Sequence, residues 1–320
     1  MRTSSRSRIG SLLALLVVLI AVVVLAAIVL ATRSASNAPP SGATGSPPGA
    51  ASGAAGTGGK RVFGHVYVIV LENHSLSQAL AAMPYLKQLG ADGASATNYR
   101  GVTHPSQPNY IALFGGDTYG ITNNSRHDLS APNLADQLEK GGHSWAVSAE
   151  NYPGGCFKGA TAKGGDDGAG TYARKHNPAI SFKSISGSPV RCARIHDLSS
   201  FDAGEADFQL IVPNLCNDAH DCPLGTADAW LREFVPQVTD SEAFRKDGVL
   251  FVTFDEDDSK GENIVPLVAV GASVKPGATS DHAYTHYSLL RTIEDNWALG
   301  CLARACDATP LDELFRAPNP

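Results

Sequence analysis

The sequence predicts an α/β domain with a mostly parallel central sheet flanked by helices on both faces, preceded by one N-terminal transmembrane helix and a disordered linker. Three observations predict it. Apolar, β-rich runs alternate with stretches of helical periodicity, the pattern of a parallel sheet covered by helices. Acidic and amide clusters follow those runs at once, where open α/β sheets bind their ligands. Residues 1–60 have the composition of an anchor and a tether rather than of a folded core.

The chain has 320 residues and opens with Arg2, Arg6 and Arg8, followed by an apolar run of about 23 residues from Ile9 to Ala31. A helix needs ~20 apolar residues to cross a bilayer, and the basic flank orients its start toward the cytoplasm. Residues 1–33 therefore read as a signal-anchor that attaches the protein to the membrane. Ala31-Thr32-Arg33-Ser34-Ala35-Ser36 makes a poor cleavage site, so a cleaved signal peptide is the lesser alternative. Either way the remainder is exported: the expected location is extracytoplasmic, anchored or, if the segment is cut, secreted. Residues 34–60 are dominated by Ala, Gly, Ser, Pro and Thr. Such a segment cannot bury enough surface to offset its ordering entropy, and it reads as a flexible linker.

Residues 61–320 are long enough for one large catalytic domain. Val66–Leu71 is a continuous apolar run of the kind found in a buried parallel strand. Ser144–Ser148, Phe208–Val212, Val249–Phe254 and Ile264–Val270 are further strands. Helices are expected at Ala79–Leu89, Asn109–Phe114, Asn133–Lys140, Ala227–Val235 and Tyr287–Trp297. In the last, Leu289, Leu290, Ile293 and Trp297 recur at helical spacing and should face the core. Gly154 to Gly170 reads as a long glycine-rich loop near the site or over it.

Several function classes are disfavoured. The formal net charge of −6 and the lack of a basic stripe argue against nucleic acid as a partner. Neither a P-loop nor a Rossmann glycine pattern occurs, nor the G-x-S-x-G elbow of many serine esterases. All six cysteines lie in the exported part, without a CxxC, which favours disulfides over a thiol nucleophile. Of the fifteen connectivities that six cysteines allow, the nearest-neighbour pairing Cys156–Cys192, Cys216–Cys222 and Cys301–Cys306 is preferred. A monomer is expected.

Five clusters carry chemistry. Glu72-Asn73 leaves the first strand as a carboxylate beside an amide, a pair that suits a hard divalent cation; capping of the next helix by Asn73 or Ser75 is the alternative. Ser106 is bracketed by Pro105 and Pro108 just before a helix, where the positive helix end favours an anion such as phosphate. It could equally be a simple N-cap. Asp218 and His220, two apart on a loop between Cys216 and Cys222, make a plausible ligand pair. Asp255-Glu256-Asp257-Asp258 would repel itself without a cation; Asp257 and Asp258 are expected to be solvated turn residues, leaving Asp255 and Glu256 as ligands. His286, after Asp281 and before the last helix, is a candidate ligand or acid. If these strand exits line up, they converge on one pocket.

The motifs Glu72-Asn73-His74-Ser75, Thr103-His104-Pro105-Ser106-Gln107-Pro108-Asn109-Tyr110, Lys175-His176-Asn177-Pro178, Asn214 to His220 and Thr253-Phe254-Asp255-Glu256 resemble the bacterial phosphoesterase family of phospholipases C and acid phosphatases. Within it, the chain is most similar to secreted mycobacterial acid phosphatases acting on phosphoinositides. The resemblance runs in order through residues 61–320 and implies an alkaline phosphatase-like fold and a phosphate-ester substrate, phospholipid among the candidates. It implies Ser106 as nucleophile, with Glu72, Asn73, Asp255 and Glu256 around a metal. Asp218, His220 and His286 would complete a second cluster, and His176 would bind phosphate or protonate the leaving group. The oxygen-rich set departs from two-zinc alkaline phosphatases, so one divalent ion, two, or weak dependence stay open. The expected function is phosphomonoester hydrolysis through a phosphoserine, with phospholipase C-type diester cleavage as the alternative. A serine esterase and a non-catalytic, calcium-holding surface protein are the rivals from other classes.

Overall fold

The computed structural model describes residues 63–163 and 170–316. The anchor and linker expected for residues 1–60 lie outside them; among the described residues no helix is long and apolar enough to cross a membrane. In chain order the main elements are β1 (His65–Leu71), α1 (Leu76–Ala82), α2 (Pro84–Asp92), β2 (Ala94–Ala96), α3 (Ser106–Gly115), α4 (Leu134–Gly141), β3 (Trp145–Ala149), β4 (Ile195–Asp197), β5 (Phe208–Val212), α5 (Leu224–Thr239), α6 (Glu242–Asp247), β6 (Gly248–Phe254), β7 (Leu267–Gly271), β8 (Ala278–Ser280) and α7 (His286–Asn296).

The eight strands form one sheet in the order β8–β2–β7–β6–β1–β5–β3–β4. β1 lies at its centre, parallel to β5 on one side and to β6 on the other, with Leu71 opposite Phe254. Only β7 runs against its neighbours. β1 and β6 are buried along almost their whole length, which requires both faces of the sheet to be covered and explains why these strands read as unbroken apolar runs. Two groups of helices supply the cover: α1, α2 and α5 pack on one another, and α3 packs on α7.

Local chemistry sets the element ends. The helix expected at Ala79–Leu89 is two helices, because Pro84 lacks a donor and starts α2 instead. The Asp228 carboxylate of α5 accepts the free Tyr85 and Leu86 N–H groups at 3.1 and 3.0 Å. Ser75 caps α1 in a reciprocal box with Gln78, so the capping reading holds for Ser75. Three short strands, β2, β4 and β8, were not legible as strands, since three residues carry no periodicity. The Gly154–Gly170 stretch is not all loop: Thr161–Lys163 pairs antiparallel with Thr171–Ala173. All three disulfides join nearest neighbours: Cys156–Cys192, Cys216–Cys222 and Cys301–Cys306.

The turn that delivers Ser106 is clamped by one amide. Asn109 Oδ1 accepts from the Val102 and Thr103 N–H groups at 2.8 and 3.0 Å, and its Nδ2 donates to the Thr103 carbonyl at 2.8 Å and the Pro105 carbonyl at 3.3 Å. The helix thus begins at Ser106, three residues earlier than its apolar pattern suggests. Gly116 ends it with φ +78°, against the Leu302 carbonyl, where a Cβ would collide.

α7 carries a buried carboxyl remote from that turn. Glu294 Oε1 accepts from Leu302 N–H at 2.8 Å, while Oε2 is buried without a hydrogen-bond partner. Burial lifts this group from 4.5 to about 8. An acid that holds its proton more tightly when folded stabilises fully below 4.5, and that stability drains as pH rises toward 8. Glu294→Gln should therefore melt higher than the wild type above pH 8, with the gap closing toward pH 5; parallel melting curves across that range would contradict the assignment.

Candidate active site

The carboxyl ends of the central strands are tied together. Glu72, the residue after β1, donates its N–H to the Asp218 carbonyl at 2.8 Å, and Asp255, the residue after β6, donates to the Leu71 carbonyl at 3.1 Å. Parallel pairing of β5, β1 and β6 in register therefore brings Asp218, Glu72 and Asp255 side by side. α3 points its first residue at them.

Ser106 Oγ lies 2.9 Å from Glu72 Oε2 and 3.2 Å from Glu256 Oε1, and Lys175 Nζ is 3.4 Å away. The hydroxyl is turned to carboxylates rather than to the backbone of its helix, so Ser106 is not an N-cap. Glu72 is wholly buried. Burial opposes its ionisation, and His176, with Lys175 beside it, outweighs it, leaving the carboxyl at about 2. Its neighbours go the other way. Burial, then the Glu72 and Glu256 charges, push Asp255 well above the usual range. Burial also lifts Glu256 to about 7, with His104 pulling against Glu72.

His176 sits between two acids, Nε2 at 2.9 Å from Glu72 Oε1 and Nδ1 at 3.1 Å from Asp218 Oδ2. These are ion-pair contacts rather than aligned hydrogen bonds. Burial disfavours an imidazolium, but the two carboxylates prevail and raise the group. Tyr110 of α3 stacks on its ring with centroids 5.1 Å apart at 15°, a face that favours positive charge. Asp218 is raised to about 6 by burial, against the pull of His176.

Other expected residues take different places. His286 stands behind Asp255: its Nδ1 is 2.8 Å from Tyr99 Oη, and its Nε2 is 2.5 Å from the Asp255 carbonyl. Both ring nitrogens are engaged, burial holds the group at about 4, and the ring supports the backbone at Asp255. His220 is likewise engaged, Nδ1 with Asp221 Oδ1 at 2.7 Å and Nε2 with Lys175 Nζ at 2.9 Å. Asn73 reaches Asp255 Oδ1 with its backbone N–H, at 3.3 Å.

Three groups escaped the sequence reading. In the sequence Lys175 stands out only as the neighbour of His176. His104, within the serine motif, lies 2.5 Å from Glu256 Oε2 and 3.5 Å from Asp257 Oδ1. Asp257 is not a solvated turn residue: it is 1% exposed and accepts from the N–H groups of Ser259 and Asn263. The signal for Asp257 was available in Asn263, whose side chain returns the bond to Asp257 N–H, but spacing alone does not reveal it.

Could the pocket hold a metal? No group of three or more His, Cys, Asp or Glu among the described residues is arranged as a ready ligand set; Glu72 turns its oxygens to Ser106 and His176. The donor chemistry still fits a hard divalent cation. Asp255 Oδ2 is buried without a partner, oxygens of Glu72 and Glu256 meet at Ser106, and oxygen is what such an ion prefers.

A family model described as the Phosphoesterase family matches residues 79–300. A probable acid phosphatase of Kluyveromyces lactis is 32% identical over 269 residues, 80% of this chain and 64% of its own length. An acid phosphatase of Aspergillus fumigatus is 33% identical over 262 residues, 78% and 58% of the two chains. The phosphatidylinositol-3-phosphatase of Mycobacterium tuberculosis is 32% identical over 257 residues, 79% and 83%. The chain thus spans about three fifths of the length of the two fungal relatives. Among solved structures, an alkaline phosphatase superfamily protein from Vibrio parahaemolyticus matches with a TM-score of 0.54 at 12% identity, over 79% of this chain and 70% of that one. The lipoteichoic acid synthase LtaP of Listeria monocytogenes gives 0.52 at 13%, over 80% and 78%. Those likenesses concern the fold, which is the α/β fold of the alkaline phosphatase superfamily. With the family model covering the stretch from α1 to the end of α7, and relatives about one third identical over most of its length, the chain belongs to the phosphoesterase family.

Proposed function

We propose that the domain is an acid phosphatase-type phosphomonoesterase that works through a phosphoserine on Ser106. The observation that carries this reading is the setting of one buried hydroxyl: Ser106 Oγ faces two carboxylate oxygens and an ammonium at the start of a buried helix. A serine is a weak nucleophile until a neighbouring base takes its proton. Glu72 Oε2 and Glu256 Oε1 are the acceptors within reach. The freed oxygen then attacks phosphorus in line; the ester oxygen leaves and takes a proton from solvent. Water displaces the phosphoryl group from Ser106 in the second step. Positive charge from His176 stabilises the phosphoryl oxygens, which is where most catalysis of this reaction class arises.

Glu72, Asn73, Asp255 and Glu256, beside Ser106, would hold a divalent cation. When bound, it would supply Lewis-acid charge to the serine oxygen and the phosphoryl group. The names of the relatives support phosphate monoesters as the substrate class, phosphoinositides among them. Three disulfides support an oxidising, extracytoplasmic location.

Ser106→Ala should abolish phosphate release from p-nitrophenyl phosphate and from phosphoinositides, while the bis-ester should be cut slowly at best by the wild type. Near wild-type kcat in Ser106→Ala would remove serine from the reaction, and faster cleavage of the bis-ester would favour the diesterase. Exhaustive chelation should lower kcat reversibly, and Asp255→Asn should raise the metal concentration needed for half-maximal activity. Full turnover by a protein shown to be metal-free would overturn the cation assignment.

A further inference from the structure

We infer that Lys175 is a catalytic residue that binds the transferred phosphoryl group, and that His220 and Asp221 position it. The inference rests on the proposed reaction at Ser106 and concerns residues assigned no such role by family membership or by the strand-exit pattern.

Hydrogen-bond polarity fixes the roles of the three side chains. An ammonium has only donors, so at 2.9 Å the Nε2 of His220 must accept from Lys175 Nζ. The ring proton then sits on Nδ1, where Asp221 Oδ1 accepts it at 2.7 Å. Asp221 fixes the tautomer, His220 presents a lone pair, and Lys175 is steered by a group that bears no like charge toward it. Its nearest further contacts are Ser106 Oγ at 3.4 Å and Glu72 Oε2 at 4.0 Å. An exposed lysine would sample many rotamers; this one is only 17% exposed, and its head lies on the nucleophile. A tetrahedral anion bonded to Ser106 Oγ would bring its oxygens within reach of the two remaining Nζ protons.

The loop carrying the steering pair is itself immobilised. Cys216–Cys222 closes it. Asn214 Oδ1 accepts from the N–H groups of Cys216 and Asn217, both at 3.0 Å. Glu150 accepts from Asn214 N–H and from the Asn217 amide. His220 N–H donates to Asp218 Oδ1 at 2.8 Å. The bend at Ala219, with φ +77°, lies between Asp218, which faces His176, and His220, which faces Lys175. Two successive polar residues of one loop thus serve two successive cationic residues of another. The fixed charge of Lys175 also gives the pocket a cation of its own, and phosphoryl transfer responds to such charge wherever it is supplied.

Two measurements test this. On the Ser106→Ala background, affinity for inorganic phosphate is read by calorimetry; adding Lys175→Met should weaken it by about tenfold or more. On the wild-type background, Lys175→Met should lower kcat by about 100-fold, with Lys175→Arg restoring part of it. His220→Phe should lower kcat by about tenfold, and His220→Gln, which returns an acceptor near the position of Nε2, should recover most of that. None of the His220 variants should change the metal concentration required for half-maximal activity. Unchanged phosphate affinity in the Lys175→Met pair overturns the proposal, as does a raised metal requirement in His220→Phe with no recovery by Gln. Activity surviving in Ser106→Ala alone would instead strike the underlying reaction, so the two failures are distinguishable. Should Lys175→Met not fold, as judged by its melting curve, Lys175→Gln serves the same comparisons.

Discussion

Four carboxylates, those of Glu72, Asp218, Asp255 and Glu256, are buried within reach of one another at the end of a sheet. Burying charge without partners is among the most costly things a protein can do, and most of the surrounding structure can be understood as meeting that constraint. His176 divides its two nitrogens between Glu72 and Asp218. Lys175 stands near Glu72 and His104 beside Glu256. Asp255, pushed well above the usual carboxylate range by burial and the Glu72 and Glu256 charges, leaves one oxygen bare. The asymmetry between Glu72, ionised to about 2, and its neighbours is the electrostatic form of the site. Ser106 enters where that asymmetry is greatest.

Secondary structure sets these positions without itself being specialised. β1, β5 and β6 are ordinary buried strands whose exits are locked to one another by backbone hydrogen bonds. The specialised work lies in loops held from behind: Asn109 grips the serine turn, Glu150 and a disulfide grip the Asp218–His220 loop, and His286 supports the Asp255 carbonyl. Asn109 spends its hydrogen bonds on backbone, while Glu150 and His286 divide theirs between backbone and side chains. That is how a rigid scaffold presents a reactive group on a loop.

Much of this was legible in the sequence, for identifiable reasons. Strands buried on both faces leave continuous apolar runs, so Val66–Leu71 and Val249–Phe254 could be found, and the acids that follow them could be placed at one sheet edge. Nearest-neighbour order, with two of the pairs only five or six residues apart, suggested the cysteine pairing. What was hidden depends on where side chains point. His220 and His286 have the same composition-level signal as a ligand, yet one meets the Lys175 ammonium and the other the Asp255 carbonyl. Asp257 stands in the same acidic run as Asp255 but is buried by bonds to Asn263 and Ser259. Lys175 shows nothing unusual until the fold brings Ser106 to within 3.4 Å of its ammonium. Helix starts were also missed, because Pro84 and the Asn109 clamp act over a few atoms while periodicity speaks for whole turns.

The account stands on the serine oxygen as the atom that takes the phosphoryl group. Acid-quenching the protein during turnover of a phosphomonoester, then mapping phosphorylated peptides by mass spectrometry, tests that directly. The account predicts phosphate on Ser106, appearing within the first turnover and decaying once substrate is exhausted. A quenched protein that turns over substrate rapidly but carries phosphate on a histidine instead, or exchanges substrate oxygen with water in a single inverting step, would contradict it.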